Sequence, residues 1–429
     1  MALMPAFLTI SIFLLLCAPS CTQPQLIENA ELNQERIYDI VRRASSASGL
    51  PVTRPLSVKL IGRTELAKIL RDDATSTTQS EAWATREAGW KAIGVSSTVH
   101  QALGDRLALL SRTVAGLYRP ETKTLYLVGE HARSAKGGIH LNSLGTFGDE
   151  MTLAHEVIHA LQHLHYPELF EPDQAVWQQQ TDATLALQAA KEGDASLWAA
   201  QSFGFLGHAK DPEEVLELQR DDSGPLSDVP KLVRQLTTFP YIYGYRFAYH
   251  EGKLDLALPP ASTEQVIHLE RNGRQAFQAM DLSGFARSLE IEGCRVLYQD
   301  TMGELILSLW LQSFDSTLTP TISEGWDGDR WVAAECESGR EIAWLSSWDR
   351  EQDAAEFANA VVKIAAKVVD RAGLKPPLAA QRQGREVIVV SEGLGSKRDD
   401  LTGLARRARV TTRAELAQHF AGNAAYLLP

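Results

Sequence analysis

Apolar residues recur at helical spacing in the stretch DEMTLAHEVIHALQHLHY, which runs from Asp149 to Tyr166. The apolar positions of this stretch are Leu153, Val157, Ile158, Leu161 and Leu164. Because residues three and four apart lie on one helix face, the pattern predicts a largely buried helix. We expect it to end before Pro167, since the residue preceding a proline disfavours the helical conformation.

The same periodicity predicts helices along most of the chain. They are expected from Leu26 to Ala47, in RTELAKILRDD, EAWATREAGWKAIG and STVHQALGDRLALLSRTV, from about Asp173 to Phe203, and in MGELILSLWLQSF and DAAEFANAVVKIAAKVV. The segment ATSTTQS between two of these helices is the most linker-like part of this half of the chain, because small polar residues favour loops.

Short runs rich in β-branched and aromatic residues predict strands between the helices. AGLYRPETKTLYLVGE predicts a hairpin, or a turn leading into an edge strand, around Arg119–Glu121. PLSVKLIG and REVIVVS predict single strands, and RWVAAECE and EIAWLSSW predict a pair joined at Ser338–Gly339. The tryptophans near this pair are expected in the core. The mixture predicts an α+β fold that is rich in helices.

At 429 residues the chain can form two or three domains. We predict an export signal at residues 1–20, an N-terminal helical region at 22–111, a catalytic core at 112–275 and a C-terminal α+β region at 276–429. The core contains the helix that follows Asp149.

The first residues, MALMPAFLTISIFLLLCAPSC, carry no charged side chain and are mostly apolar from Ala6 to Leu16. This run is short for a membrane span and suits an export signal. APSC resembles a bacterial lipobox, so Cys21 is predicted to be lipidated and to tether an exported protein to the membrane. Pro19 and the missing basic residues argue against that, and an uncleaved anchor is the alternative.

Charge and cysteine content narrow the choice of partners and compartment. Acidic residues outnumber basic ones 54 to 42, so a nucleic-acid partner is not expected. Beyond Cys21, the mature chain would keep only Cys294 and Cys336. In an oxidising compartment these two can form a disulfide, and two buried thiols are the alternative.

His155, Glu156 and His159 form the pattern HExxH on the helix described first. Two imidazoles four residues apart can bind one zinc ion, and the glutamate between them can reach a zinc-activated water. Glu156 is then the candidate general base. A core helix with incidental histidines is the alternative.

A hydrolytic zinc site needs a third protein ligand. His163 lies about 12 Å from His155 along the helix axis, which is too far. His165 has the metzincin spacing, but Gln162 stands where that motif needs a glycine to bend the chain. The remaining candidates are glutamates, namely Glu168, Glu171, Glu192, Glu213 and Glu214.

Glu192 is our predicted third ligand. It lies within the apolar pattern ATLALQAAKEGDASLWAA, where a carboxylate without a partner is costly. Gly193 would allow close approach of another backbone, and Asp194 or Ser196 could orient a histidine ligand. A solvent-facing glutamate beside Lys191 is the alternative.

Longer segments resemble a group of uncharacterised bacterial zinc-metallopeptidase-like proteins. AHEVIHALQHLH is similar to their AHELTHALQDQH pattern, and KEGDAS to their EGDAt segment. FPYIYGYRF, PPASTEQVIH and the block GWDGDRWVAAE with WLSSWDREQDAAEF also match, as does GLYRPETKTLYLV. The resemblance covers most of the chain from about Leu117 to Phe357. It implies a zincin-like fold with Glu192 in the gluzincin role.

The chain departs from that group at His163, Leu164 and Leu269, none of which is a proposed ligand. A peptidase also needs a donor for the oxyanion of its tetrahedral intermediate. Tyr241, Tyr243, His250 and His268 lie in or beside the matching segments, and we rank Tyr241 and His268 first.

These observations predict an exported zinc metallopeptidase that acts on peptide or protein substrates. His155, His159 and Glu192 would bind Zn2+, and Glu156 would act as the general base. One alternative is a non-catalytic zincin-like scaffold of the cell envelope. Another is a zinc hydrolase that cleaves a non-peptide or cell-wall amide.

Overall fold

The computed structural model describes residues 26–28, 31–75, 77–95, 104, 107–108, 110–111, 114–129, 148–170, 179–204, 231–270 and 274–421. The predicted signal at residues 1–20, Cys21 and most of the predicted helix STVHQALGDRLALLSRTV lie outside these residues. Within them the fold is α+β, as predicted. None of the described helices is both long and apolar enough to cross a lipid bilayer.

Strands and helices are numbered in chain order. The strands are β1 (Ile27–Glu28), β2 (Glu31–Leu32), β3 (Ser57–Ile61), β4 (Gly116–Arg119), β5 (Thr124–Val128), β6 (Phe277–Asp281), β7 (Arg295–Asp300), β8 (Trp326–Cys336), β9 (Gly339–Trp348), β10 (Leu378–Gln383), β11 (Glu386–Ser391) and β12 (Arg406–Val410). The helices are α1 (Gln34–Ser48), α2 (Arg63–Thr75), α3 (Thr77–Ala92), α4 (Gly148–His165), α5 (Thr181–Ser202), α6 (Lys231–Glu251), α7 (Glu264–Ile267), α8 (Ser283–Ile291), α9 (Gly303–Phe314), α10 (Glu351–Ala372), α11 (Arg398–Leu404) and α12 (Arg413–Ala421).

Helix α1 begins later than predicted. The side chain of Asn33 accepts a hydrogen bond from the backbone N–H of Arg36 and caps the helix at its first turn. The residues before Asn33 form the short antiparallel pair β1–β2 instead of the predicted helical start. On the buried face of α1, the guanidinium of Arg36 donates to both carboxylate oxygens of Glu150, which ties α1 to α4.

Strands β3, β5 and β4 form a small sheet in that order, with β3 parallel and β4 antiparallel to β5. The predicted hairpin is therefore confirmed. Helix α4 ends before Pro167, as predicted, and four of its five apolar positions are fully buried. They pack with α1, α5 and the small sheet in one core.

The predicted linker ATSTTQS is wrong. Helix α2 continues to Thr75 and α3 begins at Thr77. Small polar residues lower helix propensity by only a few tenths of a kcal/mol each, and no glycine or proline interrupts the segment. At the end of α3, Ala92 and Ile93 are buried in a core shared with the C-terminal sheet.

Helices α5 and α6 cross at two glycines. A Cβ atom on Gly193 would lie 1.9 Å from the carbonyl oxygen of Gly244, and one on Gly244 would lie 2.1 Å from that of Ala189. Any side chain at either position would therefore overlap backbone. The close approach of another backbone expected at Gly193 is confirmed, and it fixes the position of α5 along α6.

The C-terminal part contains an antiparallel sheet of order β10–β11–β9–β8–β7 and a pair of strands, β12–β6. The predicted pair β8–β9 is confirmed, and Trp326, Trp331, Trp344 and Trp348 are buried in the core, as expected. Cys294 and Cys336 form a disulfide between the residue before β7 and the end of β8.

Candidate metal centre

Helix α4 places His155 and His159 on one face, one turn apart. Their Nε2 atoms lie 3.0 Å from each other, and both residues are buried. Burial of both follows from the packing of α4 against α1, α5 and the small sheet. The two nitrogens therefore meet at one point in a site that the fold largely closes.

Glu192 of α5 completes the group. Its Oε2 atom lies 3.1 Å from the Nε2 atoms of both His155 and His159. Atoms bound to one zinc ion at about 2.0–2.1 Å are roughly 3.0–3.5 Å apart, so the three side chains fit that ion. The carboxylate side chain keeps 20% of its surface exposed, which leaves one side of the group accessible.

The other candidates named from the sequence lie elsewhere. His163 shares a 2.8 Å hydrogen bond between its Nδ1 and the hydroxyl of Tyr118, and the Nε2 of His165 contacts the carbonyl of Pro51 at 2.9 Å. Glu168 is exposed, and Glu171, Glu213 and Glu214 lie outside the described residues. Within the described ranges, the group of His155, His159 and Glu192 is the one that brings three ligand atoms together.

Gln162 orients His159 from behind. Its Oε1 lies 2.8 Å from the Nδ1 of His159, so it accepts the Nδ1–H. The lone pair of Nε2 is then the one that can bind a metal ion. The amide of Gln162 in turn donates to Asp194 at 2.8 Å, and Trp198 donates to the same carboxylate at 2.7 Å. These hydrogen bonds hold the ring of His159 against α5.

Ser196 takes the corresponding position behind His155, with its Oγ 3.5 Å from Nδ1. This contact is at the limit of a hydrogen bond and is weaker than that of Gln162. The sequence led us to expect Asp194 or Ser196 in this role. Ser196 contacts its histidine directly, whereas Asp194 acts through Gln162, which sequence reasoning missed.

The electrostatics of the group favour positive charge at its centre. Burial opposes a charged imidazole, but the carboxylate of Glu192 outweighs it and raises the pKa of His159 to about 9. Burial also opposes a charged Glu192, yet the two imidazoles hold its pKa well below the usual range. A divalent cation supplies the charge that this arrangement stabilises.

Glu156 lies beside the ligands and is 3% exposed. Strand β4 packs directly on it, because a Cβ atom on Gly116 would lie 2.9 Å from the Cγ of Glu156. The missing side chain at Gly116 therefore allows the strand to approach the candidate base.

The two predicted oxyanion donors have different surroundings. Tyr241 is half-buried on α6, one turn before Gly244. Both ring nitrogens of His268 contact carboxylates, with Nδ1 3.0 Å from Glu270 and Nε2 2.9 Å from Glu304. His268 also lines a cleft whose walls include none of the three ligands. The oxyanion role of either residue stays a prediction.

Comparison with known proteins concerns the C-terminal part of the chain. A family model described as a domain of unknown function (DUF8575) matches residues 295–412. No curated protein and no solved structure matches the chain. The matched range runs from the start of β7 to the residue before α12, so it concerns the C-terminal sheet and its helices rather than the candidate ligands.

Proposed function

We propose that the protein is a zinc metallopeptidase with a zincin-like core, in which His155, His159 and Glu192 bind zinc. The observation that supports this most is the meeting of their three ligand atoms at 3.0–3.1 Å beside Glu156. Two histidines from one helix and a glutamate from the next described long helix form the ligand arrangement that the resemblance to zinc-peptidase-like proteins implies.

A bound zinc ion would lower the pKa of a water molecule and polarise the carbonyl that it attacks. Glu156 would accept the proton of that water and later donate it to the leaving amine. Its burial between α4 and β4 restricts its side chain, so its carboxylate would remain in place through both transfers. Gln162 and Ser196 would hold the two imidazoles.

Strand β4 supports a peptide as the substrate. Among the described strands it is the last of its sheet, and it lies against Glu156 through Gly116. A site beside a strand suits an extended peptide, which can be recognised through its main chain without a particular side-chain sequence. We infer that the substrate is a polypeptide held next to the candidate base.

We also propose export, with lipidation of Cys21. The disulfide between Cys294 and Cys336 supports an oxidising compartment, because such bonds persist there. Mass spectrometry of the membrane fraction tests the lipid. A mature chain that begins with an unmodified residue would contradict it.

Metal content tests the ligand set. The wild type and His165→Ala are expected to carry about one zinc ion per chain, and Glu192→Ala is expected to lose it. His165→Ala is the matched control, because the Nε2 of His165 contacts the carbonyl of Pro51 and none of the three proposed ligands. Loss of zinc from His165→Ala with retention in Glu192→Ala would contradict the assignment.

Activity tests the base. Glu156→Gln is expected to keep its zinc and lose roughly 10²–10⁴-fold in the hydrolysis of a mixed library of internally quenched peptides. Full activity of this variant would exclude the mechanism. A zinc-loaded wild type that cleaves none of these peptides would favour a scaffold or a hydrolase of another amide.

A further inference from the structure

Lys191, the residue before the proposed ligand Glu192, carries a positive charge beside the metal centre. Its backbone carbonyl accepts a 3.1 Å hydrogen bond from the side-chain amide of Gln162, which ties it to helix α4. Its side chain extends to the turn that follows α4, where its Nζ lies 4.2 Å from the centre of the Phe170 ring. Lys191 and Phe170 are both half-buried, so this end of the metal centre is partly open to solvent.

The ammonium group of Lys191 has more donors than its surroundings use. An ammonium offers three N–H donors. In the described part of the chain, its hydrogen-bond acceptor is the carbonyl oxygen of Leu169 at 3.5 Å, which is the limit of such a bond, and no carboxylate forms an ion pair with it. The face of the Phe170 ring attracts the charge but does not neutralise it. Because charges withdrawn from water are normally paired, Lys191 suits an anion that arrives from outside the chain.

Phe170 connects this ammonium group with the metal centre in space. Its ring lies 6.5 Å from the imidazole ring of His159, centre to centre. The Nζ of Lys191 is therefore at most about 11 Å from the centre of that imidazole, which is about the length of three extended residues. A peptide held at the metal centre for cleavage could thus reach Lys191 with a group close to the cleaved bond.

The charge balance of the site favours a carboxylate at Lys191. Zinc with Glu192 and Glu156 would carry no net charge, because two carboxylates balance a doubly charged ion and imidazoles bind as neutral ligands. The charge of Lys191 is then in excess, so the wall of the site attracts anions. In a peptide these are acidic side chains and the C-terminal carboxylate.

We propose that Lys191 binds a carboxylate group of the peptide substrate, within about three residues of the cleaved bond. It determines specificity and takes no part in the proton transfers assigned to Glu156. The proposal rests on the peptidase function proposed above and adds the chemistry of the preferred substrate. That substrate has an acidic side chain or a free C-terminus near the cleaved bond.

Peptide binding by the zinc-loaded Glu156→Gln variant tests this contact without hydrolysis. Matched sets of short rhodamine-labelled peptides carry either aspartate and glutamate or asparagine and glutamine, each with a free or an amidated C-terminus. Fluorescence anisotropy should show roughly tenfold tighter binding of the set that carries the recognised carboxylate. Preference for a free C-terminus would identify the terminal group, and preference for aspartate and glutamate would identify side chains.

Substitutions in the same background separate this role from a structural one. Lys191→Met keeps the stem that packs on Phe170 and removes the charge, so it should keep its zinc and lose the preference. Lys191→Arg keeps the charge and should keep the preference. Lys375→Met, at an exposed position in the C-terminal part, is the control and should bind like its parent. Equal affinities of the parent for all sets, or a preference that persists in Lys191→Met, would overturn the proposal.

Hydrolysis by the active enzyme distinguishes this proposal from the peptidase function on which it rests. Lys191→Met should raise KM for the preferred set by roughly tenfold more than for the neutral set, with a smaller effect on kcat. Binding that depends on Lys191 and a carboxylate, without hydrolysis of any set by the zinc-loaded wild type, would reject the peptidase function alone.

Discussion

Gln162 is the residue that couples the two helices of the metal centre. It accepts from His159 on its own helix and donates to Asp194 on α5. Because burial raises the pKa of Asp194 to about 6, that carboxylate depends on the hydrogen bonds of Gln162 and Trp198 to stay charged. The side-chain amide of Gln162 thus fixes the ring orientation of His159 and also donates a hydrogen bond to the buried carboxylate of Asp194.

Replacement of Gln162 by leucine tests this role. The variant keeps all three ligands but leaves the Nδ1–H of His159 and an oxygen of Asp194 without their partner. Loss of such a supporting contact typically lowers metal affinity by about 10–100-fold. Competition with a chelating dye measures the zinc affinity. Gln312→Leu, remote from the ligands, is the control, and equal affinities in both variants would contradict the role.

Asp182 is a second buried acid, near the start of α5. Burial raises its pKa to about 8, although the backbone N–H and hydroxyl of Thr263 donate to it. The native state therefore holds a proton that the unfolded chain releases above about pH 4. Its contribution to stability is fully present below that pH and is lost as the pH rises to about 8.

Asp182→Asn should remove this dependence. Its free energy of unfolding, relative to that of the wild type, is expected to increase from pH 5 to pH 8 and to level off above that. Urea unfolding of both proteins at several pH values measures the difference. Parallel profiles would show that Asp182 does not hold the proton.

At the scale of elements, the crossing of α5 and α6 positions the ligand on α5. The backbones touch at Gly193, the residue after Glu192, so a displacement of α6 would displace the ligand. Helix α4 is held by α1, through the pair Arg36–Glu150, by the small sheet and by α5 itself. The site therefore lies between two helices that also pack on each other.

Gly193→Ala tests the crossing. The added methyl group meets a backbone carbonyl that cannot rotate away, so we expect a loss of about 3 kcal/mol or more in the free energy of unfolding. Gly403→Ala is the matched control, because its methyl group would enter open space within a helix and should be neutral or slightly stabilising. Similar stability of the two variants would exclude a tight crossing.

The sequence predicted those features that depend on local spacing. One helical turn separates His155 from His159, so any helix there brings them together. Glu192 was selected by eliminating the other candidate ligands and from the family resemblance. Spacing could not predict it, because its distance from the two histidines depends on how α4 and α5 pack. The hydrogen bond between Tyr118 and His163 and the bridge made by Gln162 join different elements, and spacing alone does not reveal them. A glutamine three residues after His159, on the same face, was the available signal.

The wrong boundaries have local causes. Asn33 is a strong cap residue, yet the apolar residues before it suggested that the helix had already begun. ATSTTQS is polar but contains no helix breaker, so composition alone misled the linker prediction. In both cases a cap or a breaker determines where the helix ends better than polarity does.

In the whole molecule, the disulfide joins residues 42 apart in sequence and closes a loop that contains β7, α9 and β8. By the loop-closure relation this contributes about 4 kcal/mol, chiefly by restricting the unfolded chain. The double variant Cys294→Ser/Cys336→Ser should unfold at a lower temperature, by a few degrees or more. The reduced wild type is expected to match it in a thermal melt. No difference between oxidised wild type and variant would contradict the contribution.

The docking of α3 has a consequence for synthesis. The carbonyl of Ile93 accepts a 2.9 Å hydrogen bond from the indole of Trp310, which lies 217 residues later in the chain. At about 5–20 residues per second, the ribosome needs on the order of 10–40 s to make the partner. During that interval Ala92 and Ile93 have no core to enter. The end of α3 should therefore complete its packing only after α9 has been synthesised.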